Sequence, residues 1–268
     1  MEGEGRALRA AGHARLASSS PTRRGRRLYI CAAASAPADS IAWIPFLLLD
    51  RFESVKAADY EAGFPYHPHR GIETVTLVRK GEVKHSDSLG HEGSIGAGDI
   101  QWMTSGSGIL HEEMPQVRPE GIAGLQIWLN LPARDKMSRP KYRDLQGDRL
   151  AETKTEDGAS IRVIAGEARA DSSRGRSKGS RSRPSSSMSR CRRARTFREE
   201  VPRGHTAFAY VDHGDVRFGA EKKTAHAPSL VIFAEGDVVE ASAGATGAVS
   251  SRRGAAAQRA DRALWSAS

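Results

Sequence analysis

The sequence predicts an all-β protein, for three reasons. From Gly63 to Leu131, short apolar runs are cut at close intervals by glycine turns, the pattern of a sandwich or barrel. Gly124 to Leu131 alternates cleanly, with Leu125, Ile127, Leu129 and Leu131 on one face and Gln126, Trp128 and Asn130 on the other, so it reads as a strand with one buried side. Residues 204–216 line up without a gap on residues 71–83, which predicts two copies of one β unit.

Taken in order, residues 1–27 are rich in Arg, Ala, Gly and Ser and read as a disordered extension, with a loose likeness to an organelle transit peptide. Leu28 to Asp50 supplies an opening strand and a buried segment centred on Pro45 to Asp50. Ile72 to Arg79 is strand-like, Lys80-Gly81 marks a turn, and Glu82 to Ser86 is the return strand. Gly90 to Gly98 carries four glycines and leads into a strand at Asp99 to Met103. Residues 132–150 are polar and punctuated by proline, as a crossover between two halves would be, and Ile161 to Ala165 is a short strand. Beyond Glu167 the chain is Arg, Ser and Gly until about residue 195. Such a segment cannot bury enough apolar surface to offset chain entropy and is expected to be disordered.

With 268 residues, 38% hydrophobic and 27% charged, the chain is long enough for a substantial core and fits a soluble globular protein. No apolar run approaches the roughly 20 residues of a spanning helix, the longest being Ile41 to Leu49. Cys31 and Cys191 form neither a CxxC nor a zinc pattern, so a reducing compartment is expected, cytoplasmic or, in a eukaryote, nuclear. Asp171 to Arg198 holds ten Lys/Arg and one acid, which accounts for the whole net charge of +9. That tract has Phe197 as its single aromatic and no recognition helix, so nucleic acid is not the expected partner.

The chemistry concentrates in Phe64-Pro65-Tyr66-His67-Pro68-His69-Arg70-Gly71-Ile72-Glu73-Thr74-Val75 and in Gly108-Ile109-Leu110-His111-Glu112-Glu113-Met114-Pro115. If the first stretch is one strand, His67, His69, Glu73, Val75 and Leu77 share a face. His111 and Glu113, also two apart, share a face of another strand, so three imidazoles and a carboxylate can converge on a first-row divalent metal. In the second copy Glu200 and Pro202 replace His67 and His69, so only the first half can hold the ion, and His205, His213 and His226 fall on turns or strand edges.

These two stretches, with Gly98-Asp99-Ile100-Gln101-Trp102-Met103-Thr104 and Gly124-Leu125-Gln126-Ile127-Trp128-Leu129-Asn130-Leu131, resemble the pirin family of the cupin superfamily. The resemblance runs from about Pro45 to Gly166 and resumes from Val201 to about Ala241. It implies two cupin barrels (double-stranded β-helices) in tandem: a metal-binding domain at 28–132, a crossover and the start of the second domain at 133–166, and a C-terminal domain at 198–245 without a metal site. It further implies Fe(II) held by His67, His69, His111 and Glu113, with Mn, Ni, Cu or Co as alternatives. The general cupin pattern would also offer Glu73 as a ligand; the pirin pattern takes its carboxylate from the later motif and leaves Glu73 to the pocket wall. Apart from the resemblance, Gln101, Trp102 and Met103 offer an apolar wall with one amide, and Trp102 and Met103 fit plain core equally well.

The implied activity is dioxygenation of a flavonol such as quercetin by a monomer, with Glu113 as ligand and proton acceptor. The alternative is an iron-dependent transcriptional co-regulator that acts through a protein partner. Residues 167–197 and 246–268 depart from the family pattern, which leaves the second barrel incomplete and reads as out-of-frame translation of a GC-rich gene. A pirin-like strand in another reading frame of the nucleotide sequence is the expected test result.

Overall fold

A computed structural model describes residues 45–150 without interruption, residues 152 and 162–165, and most of 197–242. The expectations for 1–27, 167–196 and 246–268 lie outside the described residues, as does His213. The chain divides into two compact units, with the boundary between Arg149 and Leu150. No α-helix occurs among the described residues, and none of their helices is long and apolar enough to cross a membrane.

The first unit is built from β1 (Phe46–Ser54), β2 (Phe64–His69), β3 (Ile72–Lys80), β4 (Val83–Asp87), β5 (Glu92–Ile95), β6 (Ile100–Thr104), β7 (Ile109–Pro115), β8 (Ile122–Asn130) and β9 (Lys141–Leu145). One antiparallel sheet runs β9-β6-β3-β8-β1 and a second runs β2-β7-β4-β5. Their facing sides supply one core: Phe52, Val78 and Ile122 from the first sheet, Val83 and Ile95 from the second, and Tyr60 from the loop after β1.

Two departures from sequence expectation matter for the site. The stretch around the histidines is two strands, because the chain turns at Arg70-Gly71, where Gly71 sits at φ +69°. Alternation is therefore not carried from His69 to Glu73. The segment 132–150 is more than a crossover: Lys141–Leu145 pairs with Ile100–Thr104 as an edge strand.

Register aligns Asp144, Gln101, Thr76, Gln126 and Asp50 as a polar row across these five strands of the first sheet. This row faces the second sheet, since Thr76 and Gln126 reach Glu113 on β7. Leu125, Ile127 and Leu129 on the apolar side of β8 are buried, and its polar side is an inner wall facing the second sheet. Burial raises the Asp50 carboxyl from 3.8 to about 6. The folded state holds that proton more tightly than the unfolded chain, so this contribution to stability is full below about pH 4 and lost as pH rises through 6. Asp50→Asn is expected to gain up to roughly 3 kcal/mol near pH 8 and about half that near pH 5. Denaturant melts at the two pH values check this; equal gains would reject it.

The second unit contains β10 (Ser160–Ala165), β11 (Thr196–Glu200), β12 (Thr206–Val211), β13 (Asp215–Phe218), β14 (Lys223–His226), β15 (Ser229–Phe233) and β16 (Val238–Ala243). Strands β11-β16-β13-β14 form one sheet, and β12 pairs with β15 in another. Phe197, Val211, Val216, Phe218, Val231 and Val239 lie in its core. The internal repeat carries its backbone with it: Gly204 and Gly214 take φ of +79° and +71°, where Gly71 and Gly81 take +69° and +79°.

Candidate metal centre

Strand β2 alternates Tyr66 and Pro68 outward with His67 and His69 inward, and β7 lies antiparallel beside it with His111 opposite His67 and Ile109 opposite His69. Beyond His111 the register slips, so that Glu113 faces Phe64 across a bulge. The outcome is three imidazoles whose ligand nitrogens all lie within 4.8 Å of one another. Ring centroids are 4.8 Å apart for His67 and His69, 4.5 Å for His67 and His111, and 5.0 Å for His69 and His111.

The electrostatic state suits a cation. Burial first, and then the neighbouring His67, lowers His69 from 6.5 to about 4. Burial first, and then His67, His69 and His85, lowers His111 to about 3. Both rings are therefore neutral at neutral pH and keep a lone pair. His67 Nδ1 lies 2.9 Å from the Pro65 carbonyl oxygen; donating there commits its proton and leaves Nε2 free as a ligand. Both ring nitrogens of His111 are buried without a hydrogen-bond partner. Buried polar atoms are rarely left so, and a metal ion bound by the three rings would satisfy one of them.

Glu113 lies inward on β7, 5% exposed, but its carboxylate is not among the ligand atoms gathered within 4.8 Å. Gln126 Nε2 lies 3.0 Å from each of its oxygens, and Thr76 Oγ1 donates at 3.3 Å. Burial pushes its pKa up, against the opposing pull of Gln126, His67 and Thr76. Of the expected pocket residues, Gln101 and Met103 share the inner face with Thr76 and Thr74. Trp102 and Glu73 do not: Trp102 opposes Val75 on the outer side, and Glu73 accepts from Thr104 Oγ1 at 2.6 Å on that same side. The turn at Gly71 is the physical reason that Glu73 is not brought to the imidazoles.

Sequence reasoning missed several neighbours. His85, opposite Glu113 on β4, is buried, bonds Asp144 Oδ2 through Nε2 at 3.0 Å and stacks on Tyr142 at 4.5 Å. Burial first, and then the charges of Glu113, Asp144 and Asp87, raises the Tyr142 phenol, so it stays protonated. Trp128 meets His69 edge-on at 5.0 Å. The alternation of Tyr142 with Asp144 and of Gln126 with Trp128 was visible in the sequence; which face pointed inward was not. In the second unit, Glu200 and Pro202 stand where the first has imidazoles, and no ligand cluster forms among its described residues. His205 is half-buried just before β12, and exposed His226 pairs with Asp215 at 2.8 Å.

The sequence model of the Pirin family matches residues 32–129. Pirin-1 of Arabidopsis thaliana is 40% identical over 198 residues, 73% of this chain and 65% of that protein. A Pirin-like protein of Caulobacter vibrioides is 48% identical over 122 residues, 46% of this chain and 44% of that protein. The chain belongs to the pirin family. It spans 44–65% of the length of these two pirin relatives. The crystal structure of a quercetin 2,3-dioxygenase from Acinetobacter baumannii superposes with a TM-score of 0.73 at 26% identity, covering 98% of this chain and 85% of that one. The pirin fold seen here is accordingly the all-β cupin architecture.

Proposed function

We propose that the chain is a metal-dependent dioxygenase whose substrate is a small planar phenol of the flavonol class. The observation that carries this reading is the meeting of His67, His69 and His111, with both nitrogens of His111 buried and unsatisfied. The likeness to a quercetin 2,3-dioxygenase supports the reaction class. Three imidazoles, with Glu113 as a fourth, anionic ligand, suit Fe(II); Mn, Ni, Cu or Co would also fit this donor set. The bound ion would supply Lewis acidity toward the substrate hydroxyl and a coordination position for dioxygen.

The chain's own groups do the rest. Burial raises the proton affinity of Glu113, which makes it the acceptor for the hydroxyl proton. Gln101 and Met103 form the inner wall near it, and Trp128 closes the side next to His69. The second unit would be a companion barrel without a metal.

Oxygen consumption with quercetin, and its loss in His67→Ala, is the expected result on purified protein. Consumption unchanged by that substitution would discard the assigned site. Elemental analysis of the same preparation is expected to show iron bound to wild type and absent from the variant.

A further inference from the structure

One chain of hydrogen bonds runs from the Trp128 indole, packed beside the imidazole cluster, to the buried Glu113 carboxylate, and its direction is set by a group with a single option. An indole N–H can only donate. Trp128 Nε1 lies 3.1 Å from Gln126 Oε1, which fixes the amide with its oxygen toward the indole and its nitrogen away. Gln126 Nε2 then lies 3.0 Å from each oxygen of Glu113 and 3.0 Å from Thr76 Oγ1, while the Thr76 hydroxyl donates to Glu113 Oε1. The same Trp128 ring meets His69 edge-on at 5.0 Å.

Gln126 and Trp128 are two apart on β8, so both face the second sheet, and β8 is held between β1 and β3 along its length. Neither side chain carries a titratable group or belongs to the metal-ligating set.

We propose that Trp128 and Gln126 are positioning residues that set where the Glu113 carboxylate stands relative to the imidazole cluster, and so how many protein ligands the metal has. Reversed, the Gln126 amide would point its oxygen at the carboxylate and repel it. The indole prevents this. The inference rests on the metal reading above and adds to it a determinant of coordination number outside the ligand set.

The test is Co(II) titration of the full-length protein, followed by the visible absorption of the bound ion, which reports coordination number as well as affinity. Wild type, Trp128→Phe, Gln126→Met, Glu113→Ala and the two double variants with Glu113→Ala are compared. Trp128→Phe keeps the ring against His69 and removes the donor; Gln126→Met keeps chain length and removes the amide. Both single variants are expected to weaken Co(II) binding by about 10-fold or more, as loss of groups that orient ligands commonly does, and to alter the absorption bands. In the Glu113→Ala background both effects should vanish.

Unchanged affinity and bands in both single variants would overturn the proposal, and so would effects that persist without Glu113, since the residues would then act through His69 packing. If wild type fails to bind Co(II), the metal reading falls and this inference with it. Binding that is lost in His67→Ala but indifferent to Trp128 and Gln126 would overturn the positioning role alone. Far-UV circular dichroism of each variant guards against misfolding, and agreement between the Trp128 and Gln126 variants is required for support.

Discussion

His111→Ala is expected to abolish metal binding while leaving the metal-free protein nearly as stable as wild type. The ring is buried with both nitrogens unpartnered. Deleting it in the absence of metal therefore trades lost packing against relief of an unsatisfied polar group, and the two largely offset. With metal present the balance changes. An ion at a hundredfold excess over its dissociation constant stabilises the folded state by about 2.7 kcal/mol, and this increment should disappear in the variant. Thermal melts with and without added Co(II), paired with elemental analysis, read both halves. A His111→Ala protein that still gains thermal stability from the metal would remove His111 from the site.

The second large effect is structural. Gly124 lies on β8, flanked by β1 and β3, and a Cβ added there would fall 2.2 Å from Phe52 Cζ and 2.5 Å from the Leu77 carbonyl oxygen. Phe52 is a core side chain and the carbonyl belongs to a ladder, so neither can yield cheaply. Gly124→Ala is expected to cost about 3 kcal/mol, the upper end for overpacking, which for a chain of this size lowers the melting temperature by roughly 10 °C. Gly96→Ala is the control, since its nearest neighbour would be Asp99 Oδ2 at 3.6 Å and little change is expected. Equal melting temperatures for the two variants would show that β8 can shift and that its fit is looser than described.

How far the site could be read in advance varied residue by residue. His67 and His69, and likewise His111 and Glu113, were legible as pairs because a strand places alternate residues on one face. The structure keeps each pair on one face and brings the imidazoles together. Glu73 was expected beside them on the same reasoning, which fails at Gly71, where a left-handed residue ends one strand and the next begins with its own phase. Trp102 was grouped with Gln101 and Met103 by adjacency, although neighbours in a strand point opposite ways. Gln126 and Trp128 were read only as the face opposite Leu125, Ile127 and Leu129; that this face meets Glu113 and His69 could not be seen from the alternation. The strand Lys141–Leu145 was hidden by its polar edge positions, and with it went Tyr142 and Asp144 beneath His85.

The amino-acid order alone settled the all-β class, the main strands and turns, the repeat and the identity of the ligand-type pairs, since each depends on local periodicity and turn chemistry. Only the tertiary structure decided which of those side chains meet. That outcome depends on the register between strands some forty residues apart, on a bulge after His111 and on which face of β8 turns inward. None of these leaves a mark within the span of a single strand.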